Sequence, residues 1–283
     1  MQVAPNNSAA VRKKISATDP HSWCRTALIL LSLVALTLLA FLPVFGCDFI
    51  NYDDGRIIVT NPQVREGLTL PSLYWAWTTF SLGYLQPVTL TSFMLDADLF
   101  GVEHPGAFHA TNLAIHIANV LLLYLLIASA TGSQYRSALV AAIFAVHPLQ
   151  VESVAWLAER KGLLATFFAL LAFMAYVRYA RSAGRPWQGS RLIFYGVTLI
   201  LLTLSLLSKP IFVVFPILLL LVDVWPLRRF TFARGLPLGV SQLGVSQSVA
   251  NAPETHPLSR AAQVENPPAP SLPYSGEREP MHR

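Results

Sequence analysis

Apolar runs of bilayer length constrain this chain more than anything else in it. Residues 27–45 form the first, and further runs cover about 108–129, 137–157, 163–180, 192–207 and 211–222. A hydrocarbon core about 30 Å thick takes roughly 20 helical residues, and backbone crossing it must satisfy its own hydrogen bonds. Sequence alone therefore predicts an all-α polytopic membrane protein with about six transmembrane helices. Pro148 should kink the third span, and the sixth is short. Only 12% of residues are charged, about half the fraction of a soluble domain.

Between the first two runs, residues 46–107 form a long loop of mixed character. Tyr74, Trp75, Trp77 and Tyr84 suit segments lying at a membrane interface. Residues 86–100 are apolar but carry Asp96 and Asp98, so they are too short and too acidic for a span. Residues 1–24 are expected to be a cytoplasmic arm, 25–234 the membrane module and 235–283 a disordered tail rich in Pro, Ser, Ala and Glu.

Basic residues orient the module. With the N-terminus in the cytoplasm, the inner segments hold twelve Lys and Arg, among them Arg12, Arg136, Arg178 and Arg228. The outer segments hold five: Arg56, Arg65, Arg160, Lys161 and Lys209. This is the positive-inside bias, with both termini inside and loop 46–107 outside. The net charge of +5 is thus a matter of topology, and no nucleic-acid partner is expected. Cys24 and Cys47 flank the first span and are too far apart to pair if it is helical.

Several groups could carry chemistry. Asp53 and Asp54 follow Phe49-Ile50-Asn51-Tyr52 just beyond the first span. Neighbouring carboxylates can raise one another's pKa and supply a general base; Asn-Tyr-Asp-Asp-Gly is also ordinary turn chemistry. His109, Asn112, His116 and Asn119 make one polar stripe on the second span. Such a stripe lines a wet cavity or bonds to neighbouring helices. Arg160 and Lys161 lie in a polar turn at 159–162, and Lys209 ends the fifth span. These cations suit a lipid phosphate, or else pair with Glu152 or Glu159 or snorkel to the interface. No phosphate-cradling glycine loop, nucleophile elbow or dinucleotide fingerprint occurs.

Taken in order, the motifs Phe49-Ile50-Asn51-Tyr52-Asp53-Asp54, Asn61-Pro62-Gln63-Val64-Arg65-Glu66-Gly67, Pro87-Val88-Thr89, His109 to His116, His147-Pro148 through Arg160-Lys161, Ser208-Lys209-Pro210 and Asp223-Val224-Trp225-Pro226-Leu227 are distinctive as a set. Over roughly residues 25–230 the chain resembles the transmembrane-and-tetratricopeptide-repeat O-mannosyltransferases and their bacterial relatives. The resemblance implies a GT-C-like module that moves a mannose-like sugar from a polyprenyl-phosphate donor to a hydroxyl acceptor such as a protein Ser or Thr. The reaction would take place on the non-cytoplasmic face, in an endoplasmic reticulum or bacterial inner membrane. It implies Asp53 and Asp54 as the catalytic pair and Arg160, Lys161 and Lys209 as ligands of the donor phosphate. His109, Asn112, His116, Asn119, His147, Glu152 and Glu159 would line the cavity. No cofactor is assigned, and exterior carboxylates would permit a divalent metal. Gln86 stands where animal members usually carry Arg, and Gly162 where an acid is common. The resemblance ends before the repeats and later spans, so a truncated enzyme, one needing a second polypeptide for the missing spans, or an inactive membrane scaffold is expected. A transporter would place its ionisable groups near the bilayer midplane, whereas these gather at one face.

Overall fold

The computed structural model describes residues 20–81, 83–181 and 189–224. All lie within one unit, Met1–Phe232; the expected tail and most of the expected arm fall outside the described residues. Helix α1, Pro20–Phe41, begins inside the expected arm with a proline at its first turn, where the missing N–H costs no hydrogen bond. A 3₁₀ turn, Leu42–Gly46, prolongs it.

Loop 46–107 is folded. It contains a π-helical turn (Gly55–Val59), α2 (Pro62–Arg65), α3 (Leu70–Thr78), a two-residue hairpin of β1 (Phe80–Ser81) and β2 (Tyr84–Leu85), and α4 (Pro87–Phe100). Local chemistry starts each helix. Asn61 Oδ1 accepts from Gln63 N at 3.1 Å ahead of α2, and Thr69 Oγ1 accepts from Ser72 N at 3.2 Å ahead of α3. Between them Gly67 adopts φ +74°, and a Cβ there would run into the Asp98 carboxylate. Ile58, Val64, Leu90, Phe93, Phe108 and Leu157 form one buried cluster that seats the loop on the helix ends beneath it.

The membrane part continues with α5 (Pro105–Thr131), α6 (Gln134–Val146), α7 (Leu149–Ala155), α8 (Arg160–Arg181), α9 (Gly189–Leu206) and α10 (Phe215–Val224). Helix α5 packs against α1, α6 and α8, and α8 packs against α9. Ala165, Ala169 and Ala172 recur on the buried face of α8, where small side chains allow close helix approach. Leu28, Leu39, Ile193, Ile200, Leu220 and Leu221 stand exposed, as lipid-facing residues do.

The chain is a largely helical integral membrane protein. Among the described residues three segments are long and apolar enough to cross a membrane: Trp23–Gly46, Pro105–Thr131 and Leu157–Arg181. The bent pair α6–α7 makes a fourth if it is one span. The remaining apolar helices, Leu192–Leu206 and Pro210–Val224, reach about 22 Å each, short of the hydrocarbon thickness. The expected third span is broken rather than gently kinked: α7 leaves α6 at 62° after His147-Pro148. The expected polar turn at 159–162 also moves. A 3₁₀ turn occupies Leu157–Glu159, so Arg160 and Lys161 open α8.

Candidate active site around the Leu157–Glu159 turn

The broken span creates the problem that the polar stripe solves. In a continuous helix Ala145 O would accept from Leu149 N, but that N–H turns to His147 Nδ1 at 3.2 Å. His116 Nε2 takes over the Ala145 carbonyl at 3.0 Å, which fixes the proton of His116 on Nε2. Val154 O would accept from Ala158 N, but that N–H is claimed by Asp54 Oδ1 at 2.8 Å. Asn112 Nδ2 serves the Val154 carbonyl instead, at 3.3 Å. Asn119 Nδ2 donates to Leu163 O at 3.0 Å. Three of the four stripe residues thus bond backbone carbonyls of neighbouring helices, the helix–helix alternative left open by the sequence. His109 is fully buried beside them.

Asp54 reaches the turn from the first loop. Its carboxylate is buried and accepts from Ile50 N at 3.1 Å as well as from Ala158 N. Burial pushes the Asp54 carboxyl above its ordinary pKa, the adjacent Asp53 adds to this, and the Ile50 and Ala158 N–H groups pull back. Asp53 itself is only half-buried. Beside it, Ile50, Tyr52, Val151, Glu152, Ala155 and Trp156 line a cleft of about 390 Å³, with the Tyr52 and Trp156 rings 6.0 Å apart.

Three cations were expected together at a phosphate, and their surroundings separate them. Side-chain exposure is 27% for Lys209, 8% for Lys161 and 0% for Arg160. Lys209 Nζ meets Glu159 Oε2 at 2.8 Å and Lys161 Nζ meets Glu159 Oε1 at 3.1 Å, so one carboxylate gathers both lysines. Lys161 also stands 5.7 Å above the Trp156 ring.

Arg160 points inward, away from any ligand. Its Nη2 pairs with Asp96 Oδ2 at 2.6 Å and donates to Phe108 O at 2.9 Å. Nε donates to Asn112 Oδ1 at 2.6 Å, and Nη1 to Ser92 O at 3.2 Å. The guanidinium also lies 4.4 Å from the Phe93 ring centroid. Every nitrogen is engaged, so Arg160 ties α4 and α5 to α8. Its partner is Asp96, not Glu152 or Glu159.

Among the described residues no group of three or more His, Cys, Asp or Glu could hold a metal ion.

Part of the chain is similar to known proteins. The chain is 30% identical over 184 residues to protein O-mannosyl-transferase Tmtc2 of Drosophila melanogaster, covering 62% of this chain and 19% of that protein. It is 27% identical to human TMTC4 over 215 residues, 69% of this chain and 28% of that one, and 34% identical to mouse TMTC1 over 137 residues, 45% and 14%. This chain is related to the transmembrane-and-tetratricopeptide-repeat O-mannosyltransferases. It matches less than a third of the length of these relatives. No family profile and no solved structure matches it.

The residues singled out by this O-mannosyltransferase resemblance come together unevenly. Asp54 and Glu159 flank one three-residue turn, and Glu159 carries Lys161 and Lys209. Asn119 shares a cleft with Glu159 and Lys209. His147 is exposed at the helix break and Glu152 is exposed on the Trp156 side. Asp96 was missed as the counter-charge of Arg160. An acid in an otherwise apolar helix beside a membrane was the signal for it, since such a group requires a named partner.

Proposed function

We propose that this chain supplies the donor-phosphate and general-base elements of an O-mannosyl transfer site, acting on a polyprenyl-phosphate sugar at the non-cytoplasmic face. One observation carries this reading: Asp54, the neighbour of Asp53, and two convergent lysines meet at the Leu157–Glu159 turn, at one end of α8. Asp53 is the base, because it is the member of the pair with solvent access and it adjoins the Tyr52–Trp156 cleft. Asp54 positions the turn. The acceptor hydroxyl oxygen bonds to the sugar's anomeric carbon while its proton passes to the Asp53 carboxylate. The bond from that carbon to the phosphate oxygen breaks, and the electron pair leaves with the phosphate. Lys209 and Lys161, released from Glu159, neutralise the charge that develops there. The acceptor approaches through the cleft beside Asp53, as a protein Ser or Thr would. The names of the relatives support transfer of mannose to protein. The distribution of basic residues supports an exterior site, with α9 and α10 completing a six-span module by local thinning of the bilayer.

The test is transfer from polyprenyl phosphomannose by the purified chain in lipid nanodiscs, wild type against Asp53→Asn. Transfer that falls on the order of a hundred-fold or more in the variant supports the assignment. Equal turnover in both refutes Asp53 as base. Binding of the donor with no turnover in either favours a scaffold that retains only the donor site.

A further inference from the structure

We propose that the cleft on the inner side of α7 is a hexose subsite that reads the hydroxyls of the donor's sugar. The inference rests on the donor-phosphate reading above. The cleft has a volume of about 200 Å³, and Asn119, Gln150, Ser153, Glu159, Thr166 and Lys209 contribute its polar lining. It is open at the end where Lys209 stands with 27% of its side chain exposed.

Asn119 points to a ligand. It is fully buried, and its Nδ2 donates to the Leu163 carbonyl. A carbonyl can only accept, so the amide orientation is fixed and Oδ1 faces away from Leu163. Oδ1 is buried without a hydrogen-bond partner. A buried acceptor left unpaired is costly and finds relief in a donor delivered by a ligand. The same cleft is lined by a primary amide, Gln150, and two hydroxyls, Ser153 and Thr166, contributed by α7 and α8. Uncharged groups that both give and take hydrogen bonds match a polyol. The charges in this cleft are confined to one place, the Lys209–Glu159 pair. One cation beside several neutral polar groups fits a hexose attached to a single phosphate, with the phosphate at Lys209 and the ring lying toward Asn119.

The test compares two probes on the full-length chain in nanodiscs: polyprenyl phosphate and polyprenyl phosphomannose with the same lipid. The variants are Ser153→Ala, Thr166→Val and Lys209→Met. Each hydroxyl removed should weaken polyprenyl phosphomannose about fivefold and leave polyprenyl phosphate unchanged. Lys209→Met should weaken both probes alike. Equal affinity of wild type for the two probes, or no selective loss in either hydroxyl variant, overturns the hexose subsite while the phosphate reading stands. Failure of wild type to bind either probe overturns both. Thermal unfolding of each variant in the same nanodiscs identifies any that fold poorly, and Ser153→Thr, which keeps the hydroxyl, should retain the selectivity for the sugar-bearing probe.

Discussion

Removing Asp96 should be more damaging than removing Arg160, although the two form one ion pair. Asp96→Ala leaves the Arg160 guanidinium buried at 0% exposure without its counter-charge. Arg cannot discharge itself, because no accessible pH neutralises a guanidinium. Breaking a buried pair in this direction costs about 3–5 kcal/mol. Arg160→Met leaves the opposite partner behind, and Asp96 has an exit. Burial already pushes its carboxyl above the ordinary value despite the pull of Arg160 and the Thr111 hydroxyl, so without Arg160 it takes up a proton. That variant loses the bonds to Asn112 Oδ1, Phe108 O and Ser92 O, about 1 kcal/mol each, and adds the cost of protonating Asp96. The double variant Asp96→Leu with Arg160→Met removes both charges and should cost less than Asp96→Ala alone. Thermal unfolding in nanodiscs reads these differences, with Asp96→Ala lowering Tm on the order of 10 °C. The Arg160→Met deficit should shrink as pH falls toward 5, because protonating Asp96 becomes easier; the Asp96→Ala deficit should not. An Asp96→Ala protein that melts with wild type refutes the buried hub. So does an Arg160→Met protein of unchanged Tm that no longer binds polyprenyl phosphate, since Arg160 would then be a ligand.

The carboxylate pair should divide its roles: Asp53→Asn abolishes transfer at unchanged Tm, whereas Asp54→Asn turns an amide toward the Ile50 or Ala158 N–H and lowers stability by about 1–3 kcal/mol, read by unfolding of each single variant. Asp54 and Asp96 both bind protons more tightly folded than unfolded, so stability should fall as pH rises from about 4 through their raised values; Asp54→Asn should flatten part of that slope, and a wild-type profile that rises there contradicts the sign. Arg65, with 47% of its side chain exposed, marks the first loop; an Arg65→Cys chain in sealed vesicles should react with an impermeant thiol reagent from the non-cytoplasmic side, and labelling only from the cytoplasmic side would reverse the topology.

Apolar runs located the long helices because a bilayer leaves a chain few alternatives. They were less informative where a run breaks. Residues 137–157 are nearly as apolar as a true span, yet α6 stops at Val146. Pro148 supplies no N–H, and the His147 ring captures Leu149 N, so the first turn of α7 starts afresh in a new direction. Proline marked the place; the 62° change depends on which distant side chains stand ready to take the freed carbonyls. In loop 46–107 the aromatic residues suggested an interface, but α2 and α3 start on hydrogen-bonding caps and the loop shares a core with α5 and the Leu157–Glu159 turn, which is long-range information.

The candidate site was legible in residue type and misread in partnership. Arg160 and Lys161 are adjacent in sequence, and adjacency on a helix separates them by about 100°. That angle sends one guanidinium toward Asp96 and one ammonium toward Glu159 and the Trp156 ring. Lys209, far along the chain, returns to the same carboxylate through the end of α9. The stripe shows the same division. His116 Nε2 and Asn112 Nδ2 are spent on carbonyls of Ala145 and Val154, and Asn119 keeps an unpaired acceptor while lining a cleft. A polar residue in a membrane helix therefore becomes a functional candidate only after the backbone around it has been satisfied. By that criterion Asp53, Lys209 and Asn119 are the residues that the proposed function sets before a substrate, while Arg160, Asp54 and Asn112 are engaged in holding the Leu157–Glu159 turn.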